Sequence, residues 1–127
     1  MTEFKNTWGL YSWFPDGDVT LIHPDDIEKA KEFPPLGVVF HCIGYDDGYL
    51  MLKFGNHEYR VRPSLYRTVP APEFNVGDKV KVKSKENEIG IIFGISWHFK
   101  NKAHIFSIKV NEKKKSRRYW SEELEKI

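Results

Sequence analysis

The chain has 127 residues, of which 40% are hydrophobic, 15% aromatic and 30% charged, and its formal net charge at pH 7 is +2. This length fits one domain or two very small ones, and the apolar content excludes a disordered polypeptide. The N-terminus lacks a signal-peptide core, and no segment approaches the roughly 18 apolar residues of a membrane span. The single Cys42 forms no internal disulfide. We therefore expect a soluble, cytoplasmic protein with no membrane partner.

Charge is distributed unevenly along the chain. Residues 1–76 carry 7 Lys and Arg against 11 Asp and Glu, whereas residues 77–127 carry 13 against 7. A basic half can bind nucleic acid, but two halves of opposite sign can equally attract each other. Charge alone therefore selects no partner.

The first 36 residues predict mostly short elements. An aromatic segment at 7–14 ends in a Pro-Asp-Gly-Asp turn, and Val19 and Leu21 predict a brief strand. Residues 23–31 predict one short helix, because a proline stands early and carboxylates occupy the first turn. Pro34-Pro35 is expected to end that helix.

The pattern from residue 37 to residue 72 is typical of strands. Turn sequences at 46–48 and 55–56 divide residues 37–62 into three strands of a meander. A helical turn at 63–66 and a proline-rich linker then place a domain boundary near Pro72. We expect a β-rich domain at 1–72, which is either a second, degenerate barrel or an unrelated fold, and a barrel at 73–127.

The second half predicts five short strands, one long bent strand among them, and a closing helical turn at 121–124. The alternation of Val and Lys at 79–83 predicts a half-buried strand, and a turn is expected at 85–87. A long strand follows, with glycines that permit bending. Alternation along that strand assigns one set of side chains to the core, namely Ile89, Ile91, Phe93, Ile95, Trp97 and Phe99.

One stretch of the second half resembles a known fold family. The sequence VGDKVKVKSKENEIGIIFGI is similar to the opening of KOW or Tudor-like SH3 barrels, in which a Gly-Asp turn precedes the first strand. The stretch WHFKNKAHIFSIKVNEKKKSRRYW also resembles small bacterial proteins of unassigned function. These resemblances imply a mainly β protein of one or two small SH3-like barrels, with one short N-terminal helix and a terminal helical turn, but they imply no activity.

The main candidate binding site is residues 113–120, KKKSRRYW, in which five cations precede two aromatics. Lysines at a hairpin tip can contact phosphates, and an aromatic ring beside them can stack on a base. Solvation and protection of an edge strand explain the same lysines equally well. The candidate binding residues for a protein or nucleic-acid partner are Trp97, Lys100, Lys102, Lys113, Lys114, Lys115, Arg117, Arg118 and Tyr119.

The remaining titratable residues favour structural roles. His98 and His104 flank a hairpin loop, but alternation sends them to opposite faces, which argues against a shared metal ion. Cys42 is expected to be a small buried residue, because adjacency turns it away from His41. The carboxylates at residues 16–26 are explained by a turn and a helix start. We expect no catalytic residue, no metal and no cofactor.

The function that best fits these observations is a non-enzymatic binding module for a protein partner. An immunity or antitoxin-like inhibitor is one specific form of this hypothesis. The alternative is an RNA- or DNA-binding module that uses the basic face. An enzyme of unrecognised type is the third possibility, because the lack of a motif is weak evidence.

Overall fold

The structure is a computed structural model that describes residues 2–32, 37–85 and 88–127. The chain is mainly β and divides into two compact units, residues 1–71 and 72–127. Each unit contains one antiparallel five-stranded sheet. Among the described residues, no helix is long and apolar enough to cross a membrane.

The sheet of the first unit has the strand order β4-β3-β2-β1-β5, so the last strand pairs with the first. A 3-10 turn at Pro63–Leu65 precedes that last strand. The three strands predicted between residues 37 and 62 are present. The five strands are β1 (Thr7–Tyr11), β2 (Phe40–Asp46), β3 (Tyr49–Phe54), β4 (His57–Val61) and β5 (Tyr66–Val69).

The sheet of the second unit has the corresponding order, β10-β6-β7-β8-β9. A 3-10 turn at Ser121–Glu123 is where the closing helical turn was predicted, but the chain continues beyond it into a strand. The five strands are β6 (Lys79–Val82), β7 (Ile89–His98), β8 (Ala103–Val110), β9 (Lys113–Trp120) and β10 (Leu124–Lys126).

The two units repeat one layout. In both, the second strand has an irregular register toward the third, between Cys42 and Gly44 in β2 and between Ile92 and Gly94 in β7. The residue before each irregularity pairs with the first strand of its unit in the same way, Trp8 with His41 and Lys79 with Ile91. The similarity of the halves, which the sequence left open, therefore extends to register.

Short helical elements lie between Val19 and Ala30, in the described part of the connection from β1 to β2. The strand predicted around Val19 and Leu21 is wrong: these residues form a 3-10 turn, because the Asp18 carboxylate accepts hydrogen bonds from the Thr20 N–H and hydroxyl. The predicted helix is present as a 3-10 turn at Pro24–Asp26 and the single-turn helix α1 (Ile27–Ala30). The proposed stop at Pro34-Pro35, and all but Lys85 of the turn predicted at 85–87, lie outside the described residues.

Each unit has its own apolar core. In the first unit the early aromatic segment is part of it: Trp13 is 2% exposed and donates through Nε1 to the Asp18 carbonyl, 3.0 Å away. The Tyr11 hydroxyl donates to the carbonyl of Arg62 at 2.6 Å. The second core consists mainly of inward side chains of its sheet, including Val80, Val82, Ile92, Ile95, Phe106, Ile108, Tyr119 and Leu124.

The orientation predicted for β7 is largely wrong. Ile95 is buried as expected, but Ile89 and Ile91 are 42% and 50% exposed, and Phe99 is 54% exposed. Ile92, which alternation placed outside, is 1% exposed. The cause for the three N-terminal isoleucines is the irregularity between Ile92 and Gly94, which adds one residue to β7 and reverses the alternation on its N-terminal side. Phe99 lies beyond the end of β7, in the turn to β8.

Candidate functional site

The most distinctive surface of the second unit is the side of its sheet that faces away from the core, here called the outer face. Residues that pair directly across antiparallel strands point to the same side. One such row runs across four strands, and a second lies beside it on β10, β6 and β7. The first row is Lys79, Ile91, Lys109 and Lys114, and the second is Glu125, Lys81 and Ile89.

The centre of the outer face is apolar and its surroundings are basic. Ile89 and Ile91 are the exposed isoleucines of β7, and each pairs with a lysine on β6. Phe93 is half-buried beside them, with the Lys109 and Lys114 ammonium groups 5.7 Å and 5.2 Å from its ring centroid. These distances fit cation–π contacts.

Lys109 and Lys114 form a directly opposed pair of like charges. Such a pair destabilises a sheet, typically by a few tenths of a kcal/mol up to about 1 kcal/mol. Within the described residues, no carboxylate lies within 4 Å of either ammonium group. In the described chain, the positive charges of Lys109 and Lys114 therefore have no ion-pair partner.

Two of the predicted binding cations are instead neutralised within the sheet. Lys115 Nζ lies 2.9 Å from Glu88 Oε1, and Arg117 Nη2 lies 2.6 Å from Glu123 Oε2. The contact with Lys115 lowers the pKa of Glu88, and the same contact raises the pKa of Lys115. Glu123 also accepts a hydrogen bond from the Trp120 N–H at 2.9 Å, so its pair with Arg117 fixes the end of β9.

The predicted aromatic contacts are mostly inaccessible. Tyr119 is wrong as a binding residue, because it is 1% exposed and pairs with the buried Phe106 in the core. Trp97 is half-buried and packs edge-on against His104 with ring centroids 5.0 Å apart. Trp120 is half-buried against His98. Tyr119 therefore offers no surface for stacking, and the two tryptophans are only partly exposed.

The remaining predicted cations lie in separate places. Lys114 is on the outer face, and Arg118 pairs with Ser107, which shares a side of β8 with Lys109. Lys113 is exposed at the start of β9. Lys100 and Lys102 lie in the β7–β8 turn, at the other end of β8 and roughly 23 Å away at 3.3 Å per residue. The structure thus places Lys114 and Arg118 on one side of the sheet. It keeps the lysines of the β7–β8 turn at the other end of β8, away from those of β9.

Several residues of the outer face were missed by sequence reasoning. Ile89 and Ile91 were assigned to the core, and Lys79, Lys81 and Lys109 were not singled out. The alternation of Val and Lys along β6 did show that its lysines share a side. The isoleucines opposite them could not be found in this way, because their direction depends on the extra residue in β7.

Comparison with known proteins places the chain in a family. A family model described as "Family of unknown function (DUF6960)" matches residues 1–125. The chain belongs to this family. No curated protein and no solved structure matches it. The DUF6960 match covers both units, so the outer face lies within the extent of the family.

In this DUF6960 protein, His98 and His104 lie on opposite sides of the β7–β8 hairpin. His98 pairs with Ala103 and His104 pairs with Trp97, so the two imidazoles point to opposite sides of the hairpin. In the described part of the chain, no group of three or more His, Cys, Asp or Glu could hold a metal ion.

Cys42 and His41 point away from each other. The thiol is completely buried, its burial raises its pKa, and it donates to the carbonyl of Gly44 at 3.5 Å. The His41 ring instead stacks on Trp8, with centroids 4.4 Å apart and planes 5° apart. A buried thiol with a raised pKa is a poor nucleophile. Because the His41 ring also points away from it, the two side chains do not form a nucleophile–base pair.

Asp26 has a partner that the sequence did not reveal. It is 4% exposed and accepts hydrogen bonds from the Arg60 backbone N–H, Nε and Nη2 at 2.9, 2.9 and 3.1 Å. Burial opposes ionisation, but these hydrogen bonds and the charges of Lys29 and Arg60 outweigh it and hold the pKa of Asp26 below its ordinary value. The carboxylate therefore joins the helical connection to β4.

Proposed function

We propose that this DUF6960 protein is a non-enzymatic module that binds a protein partner through the outer face of its second unit. The observation that carries the proposal is the pair Ile89 and Ile91, 42% and 50% exposed on a sheet face where Lys109 and Lys114 have no carboxylate within 4 Å in the described chain. Aliphatic groups surrounded by polar residues are typical of protein interfaces. The cytoplasmic location expected from the sequence belongs to the same proposal.

The proposal includes an SH3-like fold for each unit. It is supported by five antiparallel strands in which the last pairs with the first, and by a 3-10 turn before that last strand. A long second strand with an irregular register adds to this support in the second unit. The resemblance of residues 76–95 to KOW and Tudor-like barrels points the same way.

A protein partner fits the outer face better than nucleic acid does. Binding of single strands relies on open aromatic rings beside free cations. Here Tyr119 is buried, and two lysines cover the half-buried Phe93. Aliphatic side chains such as Ile91 offer bases no stacking partner, whereas they bury well against aliphatic groups of a protein.

The proposal predicts a partner whose capture depends on the two isoleucines. Tagged wild-type chain and an I89S/I91S variant are incubated with nuclease-treated lysate of the native host, and bound proteins are quantified by mass spectrometry. We expect a nuclease-resistant partner whose recovery falls about tenfold or more with the variant, since removal of central apolar contacts costs more than about 1 kcal/mol. Thermal unfolding should change little, because both side chains are substantially exposed.

The matched control is V19S, which removes an apolar side chain that is 47% exposed in the first unit. Its recovery of the partner should equal that of the wild type. Equal losses with V19S and I89S/I91S, or a partner that the double variant retains, would contradict the proposed site. Recovery that disappears on nuclease treatment of the wild type would favour nucleic acid.

A further inference from the structure

The outer face also indicates the chemistry of its partner. Resting on the proposed function, we infer that it binds an acidic protein segment in which carboxylates flank aliphatic side chains. The inference rests on the order of side chains along the two cross-strand rows, on the charge pair within one of them, and on the distribution of carboxylates around them.

The first row begins with the order cation, aliphatic, cation and ends with a further cation on β9. Ile91 has Lys79 on one side and Lys109 on the other. Neighbouring strands are about 4.8 Å apart, so the Cα atoms of the two lysines lie roughly 10 Å apart with the isoleucine between them. A complementary segment places an aliphatic side chain over Ile91 and a carboxylate on either side of it.

Of the lysines on the outer face, the directly opposed pair favours a carboxylate of the partner most strongly. Lys109 and Lys114 are directly paired, and both ammonium groups lie near the ring of Phe93. Their mutual repulsion destabilises the free sheet and is relieved when an anionic group is placed between them. Binding of a carboxylate here therefore gains more than binding at an isolated surface lysine.

Several carboxylates in the described part of the unit are held away from the Lys109–Lys114 pair. Glu88 and Glu123 are engaged by Lys115 and Arg117. Glu125 faces Lys81 at the β10 edge of the second row. Negative charge on the partner is accordingly best placed over β8 and β9, with the aliphatic group over β7.

A direct test uses synthetic probes and the full-length protein. Fluorescence anisotropy compares labelled peptides of equal length built from Glu-Glu-Leu, Glu-Glu-Ser and Lys-Lys-Leu repeats with an oligouridine that matches the acidic peptides in charge. We expect the Glu-Glu-Leu peptide to bind about tenfold more tightly than the Glu-Glu-Ser peptide and the oligouridine. The Lys-Lys-Leu peptide should not bind.

The decisive variant is K114E, with K113E as its control. K114E replaces a like-charge pair with an opposite-charge pair, so its Tm should rise while its affinity for the Glu-Glu-Leu peptide falls about tenfold or more. Lys113 pairs with Val110 on the other side of the strand. K113E changes the net charge equally and should weaken binding only about twofold.

Three results would overturn the inference. Equal losses with K113E and K114E would show a general charge effect, and tighter binding of oligouridine would assign the face to nucleic acid. Absence of binding by any peptide, while the isoleucine-dependent partner is still captured from lysate, would refute the acidic chemistry and leave the proposed function standing. Failure of that capture would instead refute the proposed function itself.

Discussion

Replacement of Gly9 by alanine is expected to destabilise the first unit by about 2–3 kcal/mol, the upper range for overpacking. A Cβ on Gly9 would lie 2.5 Å from Tyr66 Cε1 and 2.6 Å from the carbonyl oxygen of Arg67. The oxygen belongs to β5, which pairs with β1 at this point, so relief would require separation of the two strands. The Tyr66 ring is held by Phe4 at 5.3 Å and by the hydroxyl of Thr7 at 2.8 Å.

Urea unfolding monitored by tryptophan fluorescence would measure this effect. G44A is the matched control, because Gly44 lies in β2 of the same unit and its added Cβ would meet only Met51 Sδ, 4.0 Å away. We expect G44A to change the free energy of unfolding by less than about 1 kcal/mol. Similar losses in the two variants would show that the close approach of Tyr66 to Gly9 is not the cause.

Substitution of Asp26 by asparagine is expected to cost about 2 kcal/mol, the typical value for hydrogen bonds to a charged group. The carboxylate accepts three hydrogen bonds from Arg60, and asparagine retains only one acceptor oxygen. The Arg60 side chain is 39% exposed, so water partly compensates its guanidinium, and a larger loss is not expected. The free energy of unfolding at pH 7 provides the measurement.

The Tm of D26N should also depend on pH differently from that of the wild type. Because the pKa of Asp26 is lower in the folded protein than its ordinary value of 3.8, the ionised carboxylate stabilises the fold fully above that ordinary value. This stabilisation is lost as the pH falls through the lowered pKa of the folded state. The Tm of wild type and D26N should therefore converge on acidification below about pH 4.

D25N is the control for both measurements. Asp25 is adjacent, its side chain is 77% exposed, and its carboxylate lies 3.9 Å from Arg60 Nη2. We expect D25N to lower the free energy of unfolding by less than about 0.5 kcal/mol. Its Tm should change with pH as that of the wild type does. If D25N behaves like D26N, or if the gap between wild type and D26N persists unchanged to the lowest pH, the assigned role of Asp26 is wrong.

The strands that could be predicted are those with local signals. Turns after Tyr45 and Phe54 bound β3, and alternation marks β6. The strand β10 has only three residues, and β5 lies between a 3-10 turn and a proline-rich segment, where no local signal marks a strand. β1 contains Gly9, which lowers strand propensity, and it is stabilised by pairing with β2 and β5, which are distant in sequence.

The candidate site was harder to predict, because its parts depend on pairing between distant residues. Glu88 pairs with the distant Lys115, which belongs to a run of cations that looks uniform in sequence. Arg60 and Asp26 are likewise 34 residues apart. The direction of Ile89 and Ile91 was predicted incorrectly for a simpler reason: alternation assumes an unbroken register, and β7 is irregular between Ile92 and Gly94.

That irregularity has a consequence for how such a surface can arise in evolution. One codon inserted into β7 is enough to turn a pair of isoleucines from the core to the solvent, while Ile95 and the strand order stay as they are. The first unit has an irregularity at the equivalent place, but its row presents Trp8 and His41 stacked on each other. The same strand order thus carries a different outer surface in each unit.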